Sequence, residues 1–178
     1  MTPANSSRLR MQKIPSMTLT GQITPFTCPL ACLESFARDH ELAYTQESLL
    51  RDHAKMCNVG TKHGDQDASG SLNLIEFVKL CQHLGLQPHW IPVLYPEVIF
   101  PMLHSLTREE SVIFFIVRFD GRGGATHYVR YSHMSAPGVF EVMNPQFSAP
   151  LFHPISWEQL LAWETYCVRL TAPEPQPK

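Results

Sequence analysis

Apolar residues recur at helical spacing through the first half of the chain and gather in short β-rich runs through the second. Leu30, Leu33, Phe36 and Ala37 form a stripe behind Pro29. Proline suits a first helical position, where a missing N–H costs nothing, so the pattern predicts a helix over Pro29–Asp39. Thr45 is placed to cap a second helix, Gln46–Met56, with Leu49, Leu50 and His53 on one face. Ser71 is placed to cap a third, whose stripe is Leu74, Phe77, Val78, Cys81 and Leu84 and whose stop is Gly85. Gln87–Leu94 and Val112–Phe119 then read as strands, followed by the turn Asp120-Gly121-Arg122-Gly123-Gly124. Thr126–Ser132 and Val139–Met143 are further strands around a turn at Pro137-Gly138. Ser156–Trp163 is a short helix and Tyr166–Leu170 a last strand. Helices first and a mostly antiparallel sheet later make an α+β domain.

Composition narrows the class. A length of 178 residues fits one domain, expected over residues 17–170. A polar arm, residues 1–16, precedes it, and a tail, residues 171–178, follows with three of its eight residues proline; both are expected to be flexible. Basic and acidic residues number 14 and 16, without the basic surplus that nucleic acid or an anionic membrane selects for. The longest apolar run, Val112 to Val117, falls far short of the roughly 20 residues of a membrane span. Prolines number 15, above the usual share of about 5%, which predicts broken elements and structured loops rather than a helical bundle. The five cysteines are odd in number and irregularly spaced, unlike a disulfide scaffold. Met1–Pro15 holds no apolar segment of the secretory type, so a cytoplasmic setting is the default, with export by a signal-independent route also open.

Three residues stand where chemistry would need them. Cys28 ends the run Gln22-Ile23-Thr24-Pro25-Phe26-Thr27-Cys28-Pro29, at the start of the first predicted helix. The helix dipole there favours a thiolate, the nucleophilic form; a small buried residue at a helix start is the bland alternative. His127 opens the strand His127-Tyr128-Val129-Arg130-Tyr131 directly after the glycine turn, which would hold a base rigidly at the rim of a sheet. Alternation puts Tyr128 and Arg130 on one face and His127, Val129 and Tyr131 on the other. Asn144, before Pro145, ends the next strand, where adjacent antiparallel strands would bring it to His127 as an orienting partner. An imidazolium paired with Cys28 would lower the thiol further than the helix alone.

Gln22, Cys28 six residues on, Ala31-Cys32-Leu33 in the same helix, His127-Tyr128-Val129 and Asn144-Pro145 together resemble the papain-like cysteine peptidases. Within these, the pattern is most similar to the bacteriocin-processing, double-glycine-leader peptidases and their stand-alone relatives, over residues 21–146. The resemblance implies a papain-like α+β fold, with Cys28 and its helix on one side of a cleft and His127 and Asn144 on the other. It implies Cys28 as nucleophile, His127 as base, Asn144 as orienting residue and Gln22 as oxyanion donor. The reaction implied is cleavage of an amide in a peptide or protein substrate through a thioester, with no cofactor. A non-catalytic module that binds a peptide or partner protein, and an acyltransferase using the same site, are the alternatives. Two departures stand out. The family has Asp-Cys-Gly where this chain has Thr27-Cys28-Pro29, and Asp where it has Asn144, although papain itself uses Asn in that role.

Two further patterns compete. Cys28 and Cys32 share a helical face, but with Cys57 and His63 they match no zinc spacing, and Cys32 reads as core beneath Cys28. Asp65 to Glu76 has the ligand spacing of an EF-hand calcium loop, with Gly70 at position six. The glycine-containing run Asn58 to Gly64 interrupts the helix that should enter it, and no second loop exists, so a polar loop before a capped helix is the expectation. The aromatics Trp90, Tyr95, Phe100, Phe114, Phe115 and Phe119 are expected in the core, while Trp157 and Trp163 can pack or line a cleft.

Overall fold

The computed structural model describes residues 17–56, 72–118, 126–146 and 150–173. Three helices come first: α1 (Cys28–Asp39), α2 (Gln46–Met56) and α3 (Leu74–His83). There follow β1 (Gln87–Pro92), α4 (Pro96–His104), β2 (Glu110–Ile116), β3 (His127–Ala136), β4 (Val139–Asn144), β5 (Leu151–Ser156), α5 (Trp157–Ala162) and β6 (Thr165–Thr171). The strands form one antiparallel six-stranded sheet in the order β1-β6-β2-β3-β4-β5. Helices before an antiparallel sheet is the α+β arrangement the pattern predicts.

The sheet is covered on both faces. Ile113, Phe115, Tyr128 and Val168 pack with α1, α2 and α3, while Val112, Phe114, Phe140 and Val142 pack with Ile99 of α4 and Leu160 of α5. A central strand buried on both sides favours apolar residues on both faces, which is why β2 takes up Val112–Ile116 of the longest apolar run in the chain.

Local chemistry explains most boundaries. Thr45 caps α2 as expected, its hydroxyl accepting from the Ser48 N–H. Gly85 stops α3 with φ 75°, and the N–H groups of Gly85 and Leu86 return to the carbonyls of Gln82 and Cys81 in a Schellman motif. The cap of α3 is Asn73 rather than Ser71, which lies outside the described residues. Asn73 Oδ1 accepts from the Glu76 N–H at 3.0 Å and the Glu76 carboxylate accepts from the Asn73 N–H at 2.9 Å. Residues 65–71 of the candidate calcium loop also lie outside the described residues.

Two elements were not predicted, and proline explains both. Pro96 and Pro101 interrupt the sequence pattern of α4, which the burial of Ile99 and Leu103 nevertheless holds in place. Pro154 sits in β5, an edge strand, where a missing N–H is tolerated. The other edge, β1, ends at Pro92 rather than Leu94, and it leaves Trp90 49% and Tyr95 55% exposed, outside the core expected for them. Phe114 and Phe115 are core; Phe119 lies outside the described residues.

One buried cation joins the two halves. Arg130 of β3, 4% exposed, donates to Asp39 at 2.6 Å, to Ser35 at 2.8 Å and to Ser111 at 2.9 Å. Asp39 also accepts from the Thr18 N–H at 2.9 Å and hydroxyl at 2.6 Å. Removing one member of a buried ion pair strands the other in a medium that cannot solvate it. Asp39→Ala is therefore expected to lower stability by about 2–3 kcal/mol in urea unfolding. A loss under about 0.5 kcal/mol, typical of a neutral surface substitution, would show that the pair is not an anchor.

Candidate active site

A tight turn delivers Cys28 to the start of α1. The Thr24 N–H donates to Thr27 Oγ1 at 3.1 Å and the Thr27 N–H to the Thr24 carbonyl at 3.2 Å. Thr27 is fully buried. Cys28 is the first residue of α1 and Pro29 the second, where the lost N–H has no helical partner to miss. Cys28 is 7% exposed and lines one cleft together with Tyr128 of β3. The nucleophile candidate therefore sits against the opening of β3, one residue from His127. Cys32 lies fully buried below it.

His127 and Asn144 meet. His127 Nε2 stands 2.8 Å from Asn144 Oδ1, and Asn144 is 5% exposed. The register explains the contact. Arg130 pairs with Met143, so Asn144 lies diagonal to His127 across the β3–β4 ladder on the same face. A carbonyl oxygen accepts, so Nε2 carries the proton and the lone pair of the neutral ring lies on Nδ1. That tautomer leaves Nδ1 as the basic nitrogen.

Burial sets the charge state. Desolvation pushes the Cys28 thiol up to about 11, against the polar backbone of Tyr128 and of Cys28 itself, which pulls it down. Burial also lowers the His127 imidazole, with the Asn144 hydrogen bond opposing. Both shifts favour the neutral form of the group concerned. The helix start and a paired imidazolium were expected to lower the thiol, and loss of hydration acts in the opposite direction.

Gln22 lies in the segment leading to Cys28, partly buried, and its side-chain oxygen makes no hydrogen bond within the described protein. A cleft opens beside the sulfur, lined by Pro25, Phe26, Cys28, Pro29, Leu72, Thr126 and Tyr128. Among the described residues no group of three His, Cys, Asp or Glu side chains is disposed to hold a metal, and no helix is long and apolar enough to cross a membrane. Cys57 and His63 lie outside the described residues.

No protein-family model matches the chain, and no curated protein matches it in sequence. Solved structures do. The peptidase domain of Streptococcus ComA, a bi-functional ABC transporter involved in a quorum-sensing pathway, is 18% identical with a TM-score of 0.63, over 88% of this chain and 99% of that one. The peptidase domain of Streptococcus mutans ComA is 16% identical with a TM-score of 0.50, over 87% of this chain and 98% of that one. The chain has the papain-like peptidase fold. In the papain-like frame, a helix bearing Cys28 at its start packs on a sheet bearing His127 and Asn144, the arrangement the sequence resemblance implies.

The raised thiol gives a pH test of this site. Iodoacetamide modification of Cys28, followed by mass spectrometry, is expected to be slow at pH 5–6 and to climb with pH beyond the midpoint near 8.5 of an unperturbed thiol. Fast modification at pH 5–6 would mean a resting thiolate–imidazolium pair and would overturn the neutral assignment.

Proposed function

We propose that this protein is a cysteine peptidase that cleaves an amide bond in a peptide or protein substrate, with Cys28 as nucleophile. The 2.8 Å contact between His127 Nε2 and Asn144 Oδ1 carries the reading, because it selects the ring tautomer a general base needs. The fold supports it independently.

His127 Nδ1 takes the Cys28 proton as the sulfur attacks the substrate carbonyl carbon. The carbonyl π electrons move to oxygen, and the Cys28 N–H and the Gln22 amide donate to that oxyanion. Asn144 accepts from Nε2 throughout and steadies the imidazolium. The imidazolium then protonates the departing amine, which leaves an acyl thioester on Cys28. Water, deprotonated by His127, releases the acyl group as a carboxylic acid. A neutral pair at rest suits this sequence, since the proton moves only when a carbonyl is in place. The cleft has no charged side chain among its described lining residues, which favours an uncharged substrate residue beside the scissile bond.

Incubation with a proteome-derived peptide library, read by mass spectrometry of new amino termini, tests the activity. New termini with a shared sequence context are expected from wild type and absent from Cys28→Ala. No new termini, with an acyl group retained on or transferred from Cys28, would replace hydrolysis with acyl transfer. Neither outcome, with peptides held by the protein, would make it a binding module. On a peptide found in this way, His127→Ala is expected to lower turnover by about 10²–10⁴-fold, the range for a general base. Gln22→Ala is expected to lower it by about 10²-fold. Turnover unchanged in either variant would remove that residue from the site.

A further inference from the structure

Gln22 has no side-chain hydrogen bond to hold its oxygen, yet an oxyanion donor must be placed to within a fraction of an ångström. The backbone on both sides of it is held by one residue. Gln46, the first residue of α2 and 2% exposed, donates from Nε2 to the Gly21 carbonyl at 2.9 Å. Its Oε1 accepts from the Ile23 N–H at 3.0 Å. Its second amide proton goes to Glu34 Oε2 of α1 at 2.8 Å, and the other oxygen of Glu34 accepts from Arg38 at 2.6 Å.

The amide can stand only one way round. Flipped, it would set oxygen against the Gly21 carbonyl and the Glu34 carboxylate, and N–H against N–H at Ile23. All three of its bonds are therefore specified, and each removes a freedom of the segment that carries Gln22 relative to the helix that carries Cys28.

We propose that Gln46 is a positioning residue for oxyanion stabilisation, clamping the backbone at Gly21 and Ile23 so that the Gln22 amide is held beside Cys28. This rests on the reading of Gln22 as an oxyanion donor. It assigns α2 a part in the chemistry, although α2 contributes no side chain to the cleft among the described residues.

Two probes of the same sulfur separate positioning from general damage. With p-nitrophenyl acetate, Cys28 attacks the acetyl carbon, the carbonyl oxygen becomes an oxyanion, and p-nitrophenolate leaves as the thioester forms. With iodoacetamide, the sulfur displaces iodide from a methylene carbon and no oxyanion develops. Gln46→Ala is expected to slow acylation by about tenfold, as for a small misplacement of one catalytic group, while alkylation stays within about twofold. In a Gln22→Ala background the same substitution is expected to cause no further loss of acylation, because it acts through Gln22. Gln46→Met, similar in length but without the three hydrogen bonds, serves as the variant where the alanine form does not fold. Acylation and alkylation falling together, acylation unchanged, or losses that add to those of Gln22→Ala would each overturn the clamp. Acylation unchanged in Gln22→Ala alone would instead overturn the oxyanion role of Gln22, and the clamp with it.

Discussion

A single buried guanidinium decides where the rest of the molecule can be. Arg130 cannot be hydrated inside the sheet–helix interface, so its donors must be met there. Asp39 and Ser35 of α1 and Ser111 of β2 meet them, and the Phe36 ring lies 5.7 Å from the guanidinium carbon. The same Asp39 ties Thr18, at the start of the segment that leads to Gln22. One charge thus sets α1 over β3 and draws the preceding segment along α1. The start of α1 then falls against the start of β3, and Cys28 and Tyr128 line one cleft. Apolar packing alone is non-directional and would permit sliding of a helix on a sheet; a buried cation with three named hydrogen-bond partners does not.

The site that results is a dry one. The same packing that seats Cys28 strips water from its sulfur, and a thiol without water is a poor acid. His127 is dried in the same way and is a weaker base than a free imidazole. The two costs oppose each other across the proton transfer, because sulfur gives up its proton less readily and the ring holds one less firmly. What compensates is orientation. Asn144 holds the ring in one tautomer, and Gln46 fixes the chain around Gln22. Groups already in place need no reorganisation when charge develops.

The parts of this arrangement that depend on neighbours in sequence were readable beforehand. A cysteine before a proline at the head of an apolar stripe, and a histidine at the head of a β-rich run, are local signals, and both stand where they were expected. The antiparallel pairing of β3 with β4 followed from the Pro137-Gly138 turn, and with it the meeting of His127 and Asn144. What was not readable is tertiary. Pro96, Pro101 and Pro154 concealed α4 and β5, because the burial and edge positions that tolerate them are known only once the sheet is assembled. The thiol shift is a sum over neighbours from α1 and β3, and a helix start predicts only its minor, opposing part. Gln46 reads in sequence as the first residue of a helix; its three partners come from α1 and from a segment more than twenty residues upstream.

The central claim is that Cys28 is a nucleophile made active by His127. Intact-protein mass spectrometry of the acetyl thioester formed on Cys28 from p-nitrophenyl acetate at pH 7 tests it most directly. The account predicts a thioester that accumulates in wild type, is nearly absent in His127→Ala, and returns in that variant as the pH is raised toward the thiol's own ionisation. Equal acylation of Cys28 at pH 7 in the two proteins would contradict it.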